Sequence, residues 1–225
     1  MTMHVVTPGT VLAVNLAVPQ LSTAKAVGIT GIDKRPVDGP VAVRSPGPKT
    51  TGLHSGLVGD QIFDIAHHGG DDQAVYAYAR EDYDWWERRL GRPLHGGLFG
   101  ENLTTSGVDV NGAVIGERWR IGATLVLAPT FGRIPCATFQ AKMGEPHWVK
   151  TFTRENRTGA YLRVVTPGEV RAGDRVEVVE RPGHGVTIAT AFRAYMTEPG
   201  LIPELLAIDG LPDGLRAELS NRLPG

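Results

Sequence analysis

The sequence predicts a mainly β protein, a closed or rolled β-barrel with a few peripheral helices, followed by a small C-terminal helical subdomain. Three observations carry the prediction. Twenty-nine Gly and sixteen Pro among 225 residues demand many turns. Short β-branched runs bounded by turn residues recur through residues 1–183, the expected barrel domain, and stop before 184–225. A glycine followed by an acid then recurs where strands are expected to begin, as Gly59-Asp60-Gln61-Ile62-Phe63, Gly116-Glu117-Arg118-Trp119 and Gly173-Asp174-Arg175-Val176. Glycine accepts positive φ and the acid can hold local backbone N–H groups, so corners of one kind suit a sheet rolled on itself.

Taken in order, residues 11–18 are short, β-branched and bounded by turn residues, as a buried strand is. Residues 28–48 are rich in turn formers around the brief Val41-Ala42-Val43, which reads as a short edge strand. Residues 74–79 read as a strand. In 80–90, Tyr83, Trp86 and Leu90 recur at helical spacing, and Gly91 with Pro93 ends the helix. Trp85 and Trp86 are expected to cover the barrel. A further strand over 124–128 leads to Thr130-Phe131-Gly132, and short helices are expected over 137–143 and 147–155. Residues 160–165 and 169–179, joined through Pro167-Gly168, read as a hairpin. After Pro182-Gly183, the segments 186–196, 202–208 and 212–223 lose strand alternation and read as three short helices. A tail of about forty residues cannot hold a rich core alone, so it is expected to pack on the barrel or on a second copy in a homodimer.

The totals exclude several function classes. A net charge of −1 with scattered basic residues gives nucleic acid or an anionic membrane nothing to bind. One cysteine forbids an intramolecular disulfide, a four-thiolate cluster, a zinc ribbon and a covalent c-type haem site within this chain. Met1-Thr2-Met3-His4 lacks a basic region and Pro8-Gly9 interrupts the apolar run, so a soluble cytoplasmic protein is expected.

Three constellations can carry chemistry. In His67-His68-Gly69-Gly70-Asp71-Asp72, successive glycines can gather N–H groups into an anion-binding nest, against the plain alternative of a capped turn. In Phe99-Gly100-Glu101-Asn102-Leu103, the Asn102 amide can donate and accept where a heterocycle is read. In Arg133-Ile134-Pro135-Cys136, the chain's one thiol has a rigid Pro beside it and a cation three residues upstream. A soft thiolate prefers metals and electrophiles, while a lone Cys otherwise behaves as a small hydrophobe. Arg163 and Lys142 offer further cations for an anionic ligand. A Cys-His hydrolase using His67 or His68 as base has no Asn or Asp orienter indicated. The usual nucleotide-binding glycine loops are missing.

Jointly, His68-Gly69-Gly70, Gly100-Glu101-Asn102-Leu103, Arg133-Ile134-Pro135-Cys136 and Tyr161-Leu162-Arg163-Val164 resemble the MOSC domain, named for the C-terminal domain of molybdenum cofactor sulfurases. Their order and spacing are similar to the stand-alone bacterial branch typified by YiiM and YuaD. The resemblance covers residues 56–179, and the helical tail is similar to that branch too. It implies a β-barrel holding the molybdenum cofactor, a molybdopterin with an anionic phosphate, and at family level a lesser association with pyridoxal phosphate. Cys136 takes the position of the thiolate that reaches molybdenum, or that carries a persulfide sulfur. His68, Gly69, Gly70, Glu101, Asn102, Arg133 and Arg163 take pocket positions. Two departures alter the expected cation count: Gln73 stands where relatives often have Lys or Arg, and Thr138 where some have Lys. The activity implied is reduction of N-hydroxylated purine analogues and related hydroxylamines, fed by a separate flavin-type reductase. The other two functions to weigh are a sulfur carrier or transferase and a cofactor-delivery module without turnover.

Overall fold

A computed structural model describes residues 8–223 of the chain, so the reading of the N-terminal tetrapeptide falls outside it. Strand β1 (Gly9–Ala17) is followed by a small hairpin, β2 (Gln20–Leu21) and β3 (Ile29–Thr30), and then by β4 (Lys34–Pro36) and β5 (Val41–Val43). After a long loop come β6 (Val75–Ala79), α1 (Arg80–Leu90), β7 (Leu103–Ser106), β8 (Arg118–Ile121) and β9 (Leu125–Phe131). Helices α2 (Ala137–Met143) and α3 (Trp148–Glu155) precede β10 (Ala160–Thr166), β11 (Gly168–Val170) and β12 (Arg175–Glu180). The tail is α4 (Ile188–Met196), α5 (Ile202–Leu206) and α6 (Asp213–Ser220).

The strands β12-β8-β9-β10-β6-β7-β1 follow one another, and β1 closes the ring on β12 through Gly9 opposite Val176. This is the closed barrel expected from the turn-rich, β-branched chain. The β6–β7 pair is parallel, with Ala77 opposite Leu103, and a parallel pair needs a crossover, which α1 supplies. Helix α1 ends at Gly91, whose φ of 67° is the left-handed cap that glycine adopts without strain. None of the helices described is long and apolar enough to cross a membrane.

Two apolar clusters hold the molecule. One is aliphatic and fills the barrel, with Val11, Val14, Trp119, Ile121, Leu127 and Leu162 at its centre. Ile188, Ala191, Ile202 and Leu205 of the tail join the same cluster, so the tail packs on the barrel as one continuous core. The other is aromatic and lies between α1, α2 and α3, where Tyr78, Tyr83, Trp86, Phe99, Phe139, Trp148 and Phe152 meet. Trp86 belongs to this second cluster, with Trp148 at 4.6 Å between ring centroids.

Two expectations fail. The run after Gly59 is a loop, because its acid is drawn inward: Asp60 accepts from the Ala17 N–H, the Ser55 hydroxyl and the Asn102 amide, and is paired with Lys34. Residues 160–179 do not form a hairpin with themselves. Strand β10 pairs with β9 and β6, β11 with β5, and β12 with β8 and β1, so the Pro167-Gly168 turn hands the chain to different partners. Strand β7, the parallel partner of β6, escaped the sequence reading because its Leu-Thr-Thr-Ser run is short and follows a glycine-rich loop.

Candidate functional site

Residues on or next to β4, β6, β9 and β10 line one pocket, with the β2–β3 hairpin as its outer wall. The pocket encloses roughly 830 Å³, counting space open to solvent at its mouth. Of the residues singled out in the sequence, Cys136, Arg133, His68, Gly69 and Asn102 line it. Cys136 lies just before α2, half-buried, its backbone extended and its carbonyl accepting from the Gln140 N–H at 2.9 Å.

Arg133 is the buried cation of the wall. Its guanidinium lies 4.4 Å from the Phe139 ring centroid and 5.4 Å from that of Tyr76, and one of its terminal nitrogens donates to the Phe99 carbonyl. Its Nε is buried and has no partner among the described residues. Burial disfavours its charge, but Tyr161, Tyr76, Cys136 and Glu101 around it more than offset this, and the guanidinium is held above its ordinary range. Gly100 permits the approach: a Cβ there would sit 3.0 Å from that terminal nitrogen, at a backbone φ of 80°.

His68 is pushed down to about 4, first by burial and then by the positive charges of Arg133 and Lys25, so its imidazole is neutral at neutral pH. The glycines beside it do adopt positive φ, 88° and 85°, but they are not an open nest. The Gly69 N–H donates to Gln73 Oε1 at 3.1 Å and the Gly70 N–H to the His54 carbonyl at 2.9 Å. Gly70 lies behind the wall, against Lys49.

Asn102 lines the pocket with its amide already committed, donating to Asp60 at 2.9 Å and accepting from the Tyr76 N–H at 3.1 Å. Those two bonds brace the wall. Glu101 lies deeper still, fully buried, where burial pushes its carboxyl upward. It accepts from the hydroxyls of Tyr83 and Thr104, each at 2.8 Å, and from the Gly97 N–H, so it organises the glycine loop from behind. Arg163 is outside the pocket and paired with Asp72 at the surface.

Sequence reasoning missed Lys34, Asp60, Tyr76 and Tyr161, all of which line the pocket. Lys34 and Asp60 form a buried ion pair. Burial holds Lys34 below its ordinary value, whereas for Asp60 the lysine outweighs burial and keeps the carboxylate ionised. The Tyr161 ring packs 5.1 Å from Tyr76, and burial pushes both hydroxyls upward against the pull of Arg133. Across the mouth, Lys25 of the hairpin is paired with Asp64, whose carboxyl is held at about 2. There burial is overcome by Lys25 and His67. That supplies the missing orienter for His67, with 2.8 Å from Nδ1 to Asp64, yet His67 is 69% exposed and does not line the pocket. Gln73 and Thr138 do line the pocket, and the two lysines beside them, Lys34 and Lys25, are each paired with an acid of the same lining, Asp60 and Asp64. Among the described residues no group of three or more His, Cys, Asp or Glu can hold a metal ion, so a metal bound here would bring most of its own ligands.

The β-barrel thus brings a thiol and a buried arginine to one pocket. The chain belongs to the MOSC domain family, whose model matches residues 64–177. It is 34% identical over 184 residues to the uncharacterized protein YflK of Bacillus subtilis, covering 81% of this chain and 79% of that one. A protein of Gibberella moniliformis called simply a reductase is 29% identical over 156 residues, or 68% of this chain and 26% of that much longer one. The crystal structure of YiiM from Geobacillus stearothermophilus superposes with a TM-score of 0.76 at 27% identity, covering 96% of this chain and all of that one.

Proposed function

We propose that this protein is a molybdenum-cofactor-dependent oxidoreductase that reduces N-hydroxylated compounds, hydroxylamines and N-hydroxylated purine analogues, with electrons from a separate flavin-type reductase. The observation that carries the reading is Arg133: a buried guanidinium with an unpartnered Nε, on the wall of the pocket that also holds Cys136, Lys34 and a neutral His68. A buried donor without a partner costs roughly 1–3 kcal/mol, a cost that an acceptor-rich anion bound beside it removes. Membership of the MOSC family and the reductase-named relative support the same reading.

The donor set fits the cofactor. Arg133 suits its anionic phosphate and acceptor-rich pterin, with Lys34 and Lys25 nearby in their pairs with Asp60 and Asp64, and the soft Sγ of Cys136 suits molybdenum. When bound, the cofactor supplies two-electron exchange of an oxygen atom. In the overall change R–NHOH, two electrons and two protons give R–NH2 and water, and the N–O bond is the one broken. Around that change the chain's residues bind, orient and hold protons. Arg133 opposes negative charge, the neutral His68 offers one donor and one acceptor nitrogen, and the Tyr161 hydroxyl is kept protonated by burial. Val27, Ile29, Ile62 and Phe63 give the lining its apolar part. With one cysteine the chain has no cluster of its own to supply electrons, hence the separate reductase.

Protein made in a host that synthesises the cofactor tests the reading. Wild type is expected to hold molybdenum and pterin in stoichiometric amount and to reduce an N-hydroxylated aminopurine when a flavin reductase is added. Cys136→Ala is expected to lose most of the metal with an unchanged thermal midpoint. Folded wild type with neither metal nor pterin overturns the proposal. Sulfide released from wild type by a mild reductant, and not from Cys136→Ser, makes the chain a sulfur carrier instead.

A further inference from the structure

We infer that a second cleft, beside the pocket, takes the uncharged, acceptor-rich body of the substrate while its N–O group enters the pocket by Cys136. This rests on the functional reading above. The cleft runs between the β2–β3 hairpin and the outer face of α2, and it shares Ser22, Thr30, Ile32 and Thr138 with the pocket, so the two join along one ridge. Thr138 stands two residues beyond Cys136 on that ridge, which puts the cleft next to the thiol.

The walls are fixed in place. Gln20, from the hairpin, donates to Asp33 at 2.9 Å, and Lys142, from α2, is paired with the same carboxylate. Asp33 is 1% exposed and also holds Arg35, so one buried acid pins both sides of the cleft. The four hydroxyls along it are free to donate. Ser22 and Thr30 only accept, from the N–H groups of Ala24 and Ile32, and Thr23 and Thr138 have no partner among the described residues. Hydroxyls with uncommitted hydrogens can donate to acceptors such as ring nitrogens, carbonyls and sugar oxygens. Lys142, the cation lining the cleft, is held by Asp33, so its ammonium is already engaged when a ligand arrives. Ile32, Ala24 and Ala141 supply flat apolar contact. The chemistry recognised is that of a neutral heteroaromatic amine.

Ala141 is exposed on α2, so Ala141→Trp can fill the cleft without disturbing the core. The holoprotein is assayed with hydroxylamine itself, which needs no cleft, and with an N-hydroxylated aminopurine, which does. Molybdenum content and thermal midpoint should match wild type, while the preference for the aminopurine in kcat/KM falls about tenfold or more, mostly through KM. Thr138→Val should lower that preference less, in the same direction. Parallel loss on both substrates, or an unchanged preference, overturns the inference. Titration of wild type with the corresponding unhydroxylated aminopurine decides the cleft separately from catalysis. Binding that weakens in Ala141→Trp upholds the cleft even if no turnover is found, and binding equal in the two proteins rejects it.

Discussion

The barrel interior and the pocket wall solve opposite problems with the same strands. The barrel is filled largely by aliphatic side chains around Trp119, and the tail extends that core. The pocket wall faces the aromatic cluster and holds a lysine, an arginine, an aspartate and a histidine in a small space. Burying charge costs several kcal/mol per ion unless partners offset it. The barrel therefore supplies the stability that the pocket consumes. Substitutions should divide accordingly, with barrel changes lowering stability and leaving ligand preference alone.

Trp119→Ala is expected to have the largest effect. The ring is fully buried and its Nε1 donates to Glu117 at 2.6 Å, so truncation leaves both a cavity and a buried carboxylate short of a donor. A loss of about 3–5 kcal/mol in urea unfolding is expected. A loss below ~1 kcal/mol would mean the barrel is not the stabilising half. Lys34→Met comes next, at roughly 3 kcal/mol, because it strips Asp60 of its counter-charge while the three hydrogen bonds from Ala17, Ser55 and Asn102 remain. Unlike the barrel variant, it should also lower cofactor content. Equal cofactor content in Lys34→Met and wild type would remove Lys34 from the binding wall.

The barrel was the legible half. Period-two runs, glycine corners and the helix over 80–90 are local signals, and the helices over 137–143 and 147–155 fall where the pattern puts them. What sequence could not show was pairing, since the strands on either side of Pro167-Gly168 look like a hairpin until their partners are known. The site was half legible. Cys136, Arg133, His68 and Asn102 stand in motifs and do line the pocket, whereas Glu101 lies behind the lining, bound to Tyr83, and the Asn102 amide is held by Tyr76 and Asp60. Lys34 stands in Asp33-Lys34-Arg35-Pro36, an ordinary polar stretch whose inward lysine follows only from the pairing of β4 with β1. Arg163 carried motif weight, yet its strand neighbour Tyr161 is the one on the pocket.

The smallest expected effect separates the halves by pH. Free histidine titrates near 6.5, while in the fold burial and the charges of Arg133 and Lys25 push His68 to about 4. Between those values the unfolded chain binds a proton that the folded chain refuses, so stability falls as pH is lowered from 6.5 to 4 and the contribution levels off below. One such group contributes at most about 1.4 kcal/mol per pH unit. His68→Gln keeps a polar side chain of similar size and removes the proton. Urea midpoints of both proteins at pH 4.5, 5.5 and 6.5 should show the variant with the shallower fall. Asp64, held at about 2, titrates below this window. Acids shared by both proteins cancel in the difference. Identical slopes would mean that His68 takes up its proton as freely in the fold as outside it, and that the pocket does not impose on it the strain that distinguishes this wall from the barrel.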